Sequence, residues 1–189
     1  MKKYLFLIIL PFLFFSCASI KISTIKNDNK KLYDISGYLV YCDIADIELR
    51  TNLEKEIVNC FLKIEKKAKE SIVLFPPLRD YNTTEIYEKS KENELNAKLT
   101  ITQINSSSAT GYMYMYGMLV PVSSTNYTFD IIVQDLTDGE IILRSTLNTE
   151  GGSLKYIISN IAERLVTELQ NEEIKETEYY FSKTSSIEK

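Results

Sequence analysis

Between residues 37 and 171 the spacing of apolar side chains switches repeatedly between a repeat of two and a repeat of about 3.6. A chain that alternates short pleated runs with longer helical stripes must build a sheet and lay helices on it. Tyr38 to Cys42, after Gly37, predicts a first strand. Thr51-Asn-Leu-Glu54 has the spacing of a capping box, in which the Thr oxygen and the Glu carboxylate satisfy the free amides of a helix start. Leu53, Ile57, Cys60, Phe61, Ile64 and Ala68 then follow at helical spacing. Ser71 to Phe75 predicts a second strand, stopped by Pro76 and Pro77, which have no amide to give a ladder. A second helix is expected from Thr84 to Leu95, with Asn82 and Glu85 at cap spacing.

Lys98 to Ile104 alternates, which sets Leu99, Ile101 and Gln103 on one face of a third strand and Thr100, Thr102 and Ile104 on the other. Tyr127 to Gln134 and Glu140 to Leu147 predict two more strands, joined by a turn at Asp138-Gly139. Gly151-Gly152 breaks the chain, and Ser153 caps a last helix whose stripe is Leu154, Ile157, Ile158, Ile161, Leu165 and Leu169. The predicted order is β-α-β-α-β-β-β-α, an α/β (α+β) fold with a mixed sheet and helices packed on it.

The ends of the chain read differently. Lys2-Lys3, the twelve apolar residues Tyr4 to Phe15 and the small residues that follow form the charged, apolar and small-residue series of an export signal. The apolar run falls short of the roughly 20 residues that a spanning helix needs. Cys17 directly after Ser16 resembles the lipobox of bacterial lipoproteins. That resemblance covers residues 1–17 and implies cleavage before Cys17 and acylation of its thiol, which holds the protein at a bilayer without a spanning segment. Ala18 and Ser19 in place of Asp imply, by the same resemblance, sorting to the outer membrane, facing the periplasm. The alternative is a plain secretory signal cut after Ala18. Residues 1–16 are thus expected to be a signal peptide, 17–36 a lipidated Cys with a polar tether, 37–171 a single domain and 172–189 a flexible tail.

Composition narrows the chemistry. The chain has no His, so no imidazole base and no His metal ligand is available. Its net charge of −4, with 26 acidic against 22 basic residues, argues against a nucleic-acid partner. The acids Asp43, Asp46 and Glu48, and Asp135, Asp138 and Glu140, lack the spacing of a calcium loop and read as turn and loop residues. No Gly-rich phosphate loop or nucleophile elbow is present, and no cofactor is expected. Cys42 and Cys60 admit two readings, buried apolar fillers or a disulfide permitted by an oxidising compartment.

The predicted element order over about 37–171 resembles a group of bacterial envelope proteins that includes the amino-terminal domain of TolB, the curli-secretion channel lipoprotein and the lipoprotein activators of penicillin-binding proteins. The resemblance is one of order, without a diagnostic motif. It implies a layered α/β domain held at a membrane and used for protein contact.

The segment Gly111 to Val122 is an uncharged stretch of twelve residues between two Ser-rich edges, with three of the 13 Tyr and three of the four Met. Alternation sets Tyr112, Tyr114 and Tyr116 on one face and Met113 and Met115 on the other, with Met118 beyond the turn. Tyr combines an apolar body with a wet tip, and Met repacks against varied surfaces. One reading is an ordinary hairpin folded over the sheet, and the other is a hairpin that docks a partner or touches a bilayer. The function expected is that of a non-enzymatic envelope lipoprotein that binds protein partners. The alternative is an oligomeric outer-membrane pore or secretion-channel subunit that uses this hairpin.

Overall fold

The computed structural model describes residues 19–27, 29–115, 118–151 and 153–185. They form β1 (Ser19–Lys26), a 3-10 turn (Leu32–Asp34), β2 (Gly37–Asp43), α1 (Ile47–Lys63), β3 (Lys67–Glu70), the single turn α2 (Ser71–Leu74) and α3 (Thr83–Glu92). After these come β4 (Ala97–Met115), β5 (Met118–Asp135), β6 (Ile141–Glu150) and α4 (Leu154–Ser185). The six strands make one mixed sheet in the order β1-β6-β5-β4-β2-β3. It is antiparallel from β1 to β4 and parallel across β4, β2 and β3. The expected fold class, a mixed α/β sheet with helices packed on it, is the one observed.

The pleat sorts the core into two parts. Tyr38, Val40 and Cys42 point to the face covered by α1 and α4, where they meet Leu53, Ile57, Phe61 and the Leu154 to Leu169 stripe. Tyr38 stacks on Phe61 with ring centroids 4.4 Å apart. Leu39 points to the opposite face and packs with Leu74, Phe75 and Leu95 beneath α3. Gly37 lets β2 start here, because a Cβ would lie 2.9 Å from the Glu94 carbonyl oxygen.

The structure corrects the expected elements in five places, most of them through a contact distant in sequence or a competing polar group. Residues 19–26, expected in a tether, form an edge strand that pairs with β6 from Ser19↔Glu150 to Lys26↔Leu143. Ile20 and Ile22 alternate onto the core from this strand. Helix α1 starts one turn before the expected box, because the Asp46 carboxylate accepts from the Glu48 and Leu49 amides at 2.9 and 3.1 Å. Thr51 lies inside the helix, its hydroxyl donating to the Ile47 carbonyl, and Glu54 is fully buried. The helix stops where Glu65 takes a left-handed φ of 60°, so Ala68 belongs to β3 and not to the helical stripe.

Ser71 to Leu74, expected as a strand, is a helical turn because the Glu54 carboxylate accepts from the Ser71 hydroxyl and the Ile72 amide at 2.9 and 3.0 Å. The expected tail continues α4 to Ser185. Its acids are held by groups from remote parts of the chain: Glu172 by Lys26 at 2.8 Å, Glu173 by Lys66 at 2.7 Å and Glu176 by the Leu32 amide at 2.8 Å.

Candidate interaction arm

β4 and β5 pair from Ala97↔Asp135 to Met115↔Met118, far beyond their neighbours. β2 accompanies β4 only as far as Thr102, and β6 accompanies β5 only from Tyr127 onward. At the boundary a bulge inserts Ile104 between the Gln103↔Phe129 and Asn105↔Thr128 pairs. Residues 105–115 and 118–126 therefore pair with each other alone, as a two-stranded arm that reaches about 30 Å at the usual rise per residue. This corrects the picture of a hairpin folded over the sheet. Residues 105–112, Tyr114 and residues 118–121 are all exposed.

The arm has a polar stalk and an apolar tip. Ser106, Ser107 and Ser108 face Tyr127, Asn126 and Thr125 across the ladder. Nearer the tip, Tyr112 pairs with Pro121 and Tyr114 with Leu119, so these four share one face. Tyr112 and Tyr114 are 73% and 72% exposed, and Leu119 and Met118 are each 67% exposed. Val120 and Met118 lie on the other face, paired through the backbone with Met113 and Met115. Tyr116 lies outside the described residues.

The other candidates fall in different places. Cys17 and the signal segment lie outside the described residues. Cys42 and Cys60 are free thiols. Cys42 is enclosed in the core, where burial pushes its thiol well above the ordinary value, and burial raises half-buried Cys60 as well. The acids after β2 have structural duties, Asp46 as the α1 cap and Glu48 as a distant partner of Lys155 at 3.9 Å. Those of the β5–β6 turn converge on Lys30, which lies 3.1 Å from Asp135, 3.8 Å from Glu140 and in contact with Asp138. The Lys30 hydrogen bond is the main cause that holds Asp138 below the usual carboxylate range. Burial pushes Asp135 up, but hydrogen bonds from the Thr137 amide and Lys30 outweigh it and leave it lowered.

Among the described residues no group of three or more His, Cys, Asp or Glu is placed to hold a metal ion, and no helix is long and apolar enough to cross a membrane. Two features were missed in the sequence. One is the Lys30 clamp, which joins residues more than a hundred apart. The other is buried Glu54, whose carboxylate also accepts from the Cys42 amide at 3.0 Å and from Arg50 Nε at 3.1 Å. Arg50 at i−4 from Glu54 on a helical pattern was the available signal for the second.

No protein-family model and no curated protein matches the chain. Among solved structures the chain is similar to the PelC dodecamer from Paraburkholderia phytofirmans, with a TM-score of 0.51 at 10% identity over 80% of this chain and 98% of that one. It is also matched with a PDZ domain protein from Parabacteroides distasonis, at a TM-score of 0.44 and 11% identity over 77% of this chain and 34% of that one. A minor lipoprotein from Acinetobacter baumannii aligns at a TM-score of 0.35 and 8% identity over 71% of this chain and 91% of that one. At these identities the PelC likeness establishes the fold, and the two lower scores carry no argument.

Proposed function

We propose that this chain is a non-enzymatic lipoprotein of the bacterial envelope, anchored through Cys17 at the outer membrane on its periplasmic side, that binds protein partners through the tip of its arm. The carrying observation is the contrast within the arm, a hydrophilic stalk of Ser, Thr and Asn that presents exposed Tyr112, Tyr114, Met118 and Leu119. An apolar cluster raised about 30 Å from the body on a soluble stalk is poorly placed to stabilise the body. It is well placed to fill a pocket on another molecule, since aromatic side chains and Met are the residues that anchor interfaces. The export signal and the Cys17 lipobox supply the membrane attachment.

A second reading, a ring of copies serving as a pore or secretion channel, is favoured by the oligomeric state of the similar PelC structure, a dodecamer. The arm limits the form such a ring takes. Its apolar section, 111–115 with 118–122, spans about 17 Å, short of the roughly 25 Å apolar band of a membrane barrel. Contact between subunits or dipping into one leaflet fits that length, and spanning does not.

Three measurements test the proposal. Labelled palmitate should enter the wild type and not Cys17→Ala, and equal labelling sinks the anchor. Crosslinking in the native envelope should capture partners with the wild type and lose them with Tyr114→Asp/Leu119→Asp, whose circular dichroism should stay that of the folded protein. A folded double variant that captures the same partners rejects the arm as the docking element. After detergent extraction, a monomer supports the adaptor and a large ring supports the channel reading.

A further inference from the structure

β2 has a parallel neighbour on each side, and the chain leaves the carboxyl ends of β2 and β3 toward opposite faces of the sheet. From β2 it enters α1 on one face, and from β3 it enters α2 and α3 on the other. In open sheets with parallel strands, the crevice outside the strand ends at such a switch point is where ligands bind. A cavity of about 270 Å³ lies beside this point on the α3 face of the sheet, lined by Leu39 and Tyr41 within β2 and Lys98 at the start of β4. It lies just below the range of about 300–1,000 Å³ typical of small-molecule sites. Its walls combine Tyr41 from β2, Arg50 from the first turns of α1, Ser71 from the start of α2, Phe75 and Tyr81 from the connection to α3, and Lys98 from β4.

Of the three cations that line this cavity, Lys98 alone has no ion pair among the described residues. Arg50 lies 4.8 Å from the centre of the Tyr41 ring, and its guanidinium is committed to Glu54 through Nε and to the Ser71 hydroxyl through Nη2, both at 3.1 Å. The Lys98 ammonium lies 4.7 Å from the centre of the same ring. It makes no hydrogen bond and no ion pair with any of the described residues. Burial lowers its pKa, and the more distant Asp43 opposes this only in part. The third cation, Arg79 at the rim, is held by Glu85 at 2.9 Å. Asp80, the acid in the lining, forms no ion pair with Lys98. A half-buried ammonium that rests on the Tyr41 ring without a hydrogen bond or ion pair carries a desolvation penalty that an anion at that place relieves. Next to it, Phe75 and Tyr81 make an edge-to-face aromatic wall, with ring centroids 5.2 Å apart.

We propose that this cavity binds an organic carboxylate with an apolar or aromatic body, its carboxylate on Lys98 and its body against Phe75 and Tyr81. The site is independent of the arm and of the reading built on it. Two sources carry this chemistry, a free small acid and the terminal residue of a peptide. Titration followed by amide chemical shifts of the folded protein distinguishes them, with 3-phenylpropionate and a tetrapeptide ending in Phe as the probes. 3-Phenylpropanol and the same peptide with an amidated end are the uncharged controls.

At least one acid should bind and shift amides of residues 39–41 and 71–81, while its uncharged control binds about tenfold more weakly or less. Binding of both acids points to a free small acid, and binding of the peptide alone points to a chain terminus. Lys98→Met keeps the apolar stem and should fold with an unchanged or higher urea midpoint while losing about tenfold in affinity. Lys98→Gln serves as a second neutral variant with the same expectation. Tyr114→Ala on the arm should bind like the wild type. Failure of both acids to bind, equal binding of the uncharged controls, or full affinity in the folded Lys98 variants overturns the proposal.

Discussion

β4 and β5 are two different objects along one ladder. In the stretch from Ala97↔Asp135 to Gln103↔Phe129, they are flanked by β2 and β6, and Leu99, Ile101, Phe129, Ile131 and Val133 are fully enclosed under the helices. Beyond the Ile104 bulge the same two strands continue with the same antiparallel pairing, and residues 105–112, Tyr114 and residues 118–121 are exposed. Pairing between strands is therefore not what separates body from arm. The difference is the presence of third and fourth strands and of a helix layer, without which a two-stranded ribbon is at best marginally stable in water. Natural edges are usually kept short or charged, and this one is long, uncharged and apolar at its end. Those properties are a liability in a monomer and an asset in a protein that docks.

This contrast is tested most severely by matched aromatic truncations. Phe129→Ala, at a position fully enclosed on β5, should cost about 3–5 kcal/mol in urea denaturation. Tyr114→Ala, on the paired strand but in the arm, should stay within about 0.5 kcal/mol of wild type. A Tyr114 cost close to that of Phe129 would mean that the arm packs on the body, and the distinction between the two regions would fall.

The elements that were legible in the sequence are those decided by neighbours close in the chain. The α4 stripe is buried at all six positions read from its period, because one helix face meets one sheet face. The Asn82–Glu85 box caps α3 with both reciprocal hydrogen bonds. Gly139 takes the left-handed turn conformation, φ +77°, in the expected hairpin turn. What escaped notice depends on residues far away. β1 is a strand because β6 lies beside it, more than a hundred residues on. The acids after Leu169 remain helical because Lys26, Leu32 and Lys66 receive them.

Polar groups with two possible duties misled the reading as well. Glu54 has the spacing of a capping residue, but its carboxylate gathers Cys42, Arg50, Ser71 and Ile72. For the arm, the composition of the tip was readable. Its length was not, since Ser-rich runs that look like loop edges are rungs of the ladder. The cavity around Lys98 was invisible for the same reason as β1, since its walls come from β2, α1, β4 and the β3–α3 connection.

The smallest expected effect lies at the other end of β5, where the chain turns into β6 and the tip has its counterpart. There Lys30 clamps Asp135 and Asp138, whereas the arm tip has no charge to clamp. Both acids titrate lower in the folded protein than their ordinary value of 3.8, so below that value the unfolded chain binds more protons. The stability they contribute is fully present above about pH 4 and drains away as pH falls through the lowered folded values. Lys30 is raised above its ordinary 10.5, chiefly by hydrogen bonds to Asp138 and Asp135, so its share is complete below that value and is lost only at more alkaline pH. Lys30→Met should therefore lower the urea midpoint slightly at pH 7, by less than Phe129→Ala does. The gap should close as the pH falls below 4 and stay level from pH 5 to 9. A gap that persists at pH 3 would show that Lys30 acts through something other than its pairing with the ionised carboxylates of Asp135 and Asp138, since Met keeps the apolar stem. The two ends of β5 would then not be distinguished by this charge pairing.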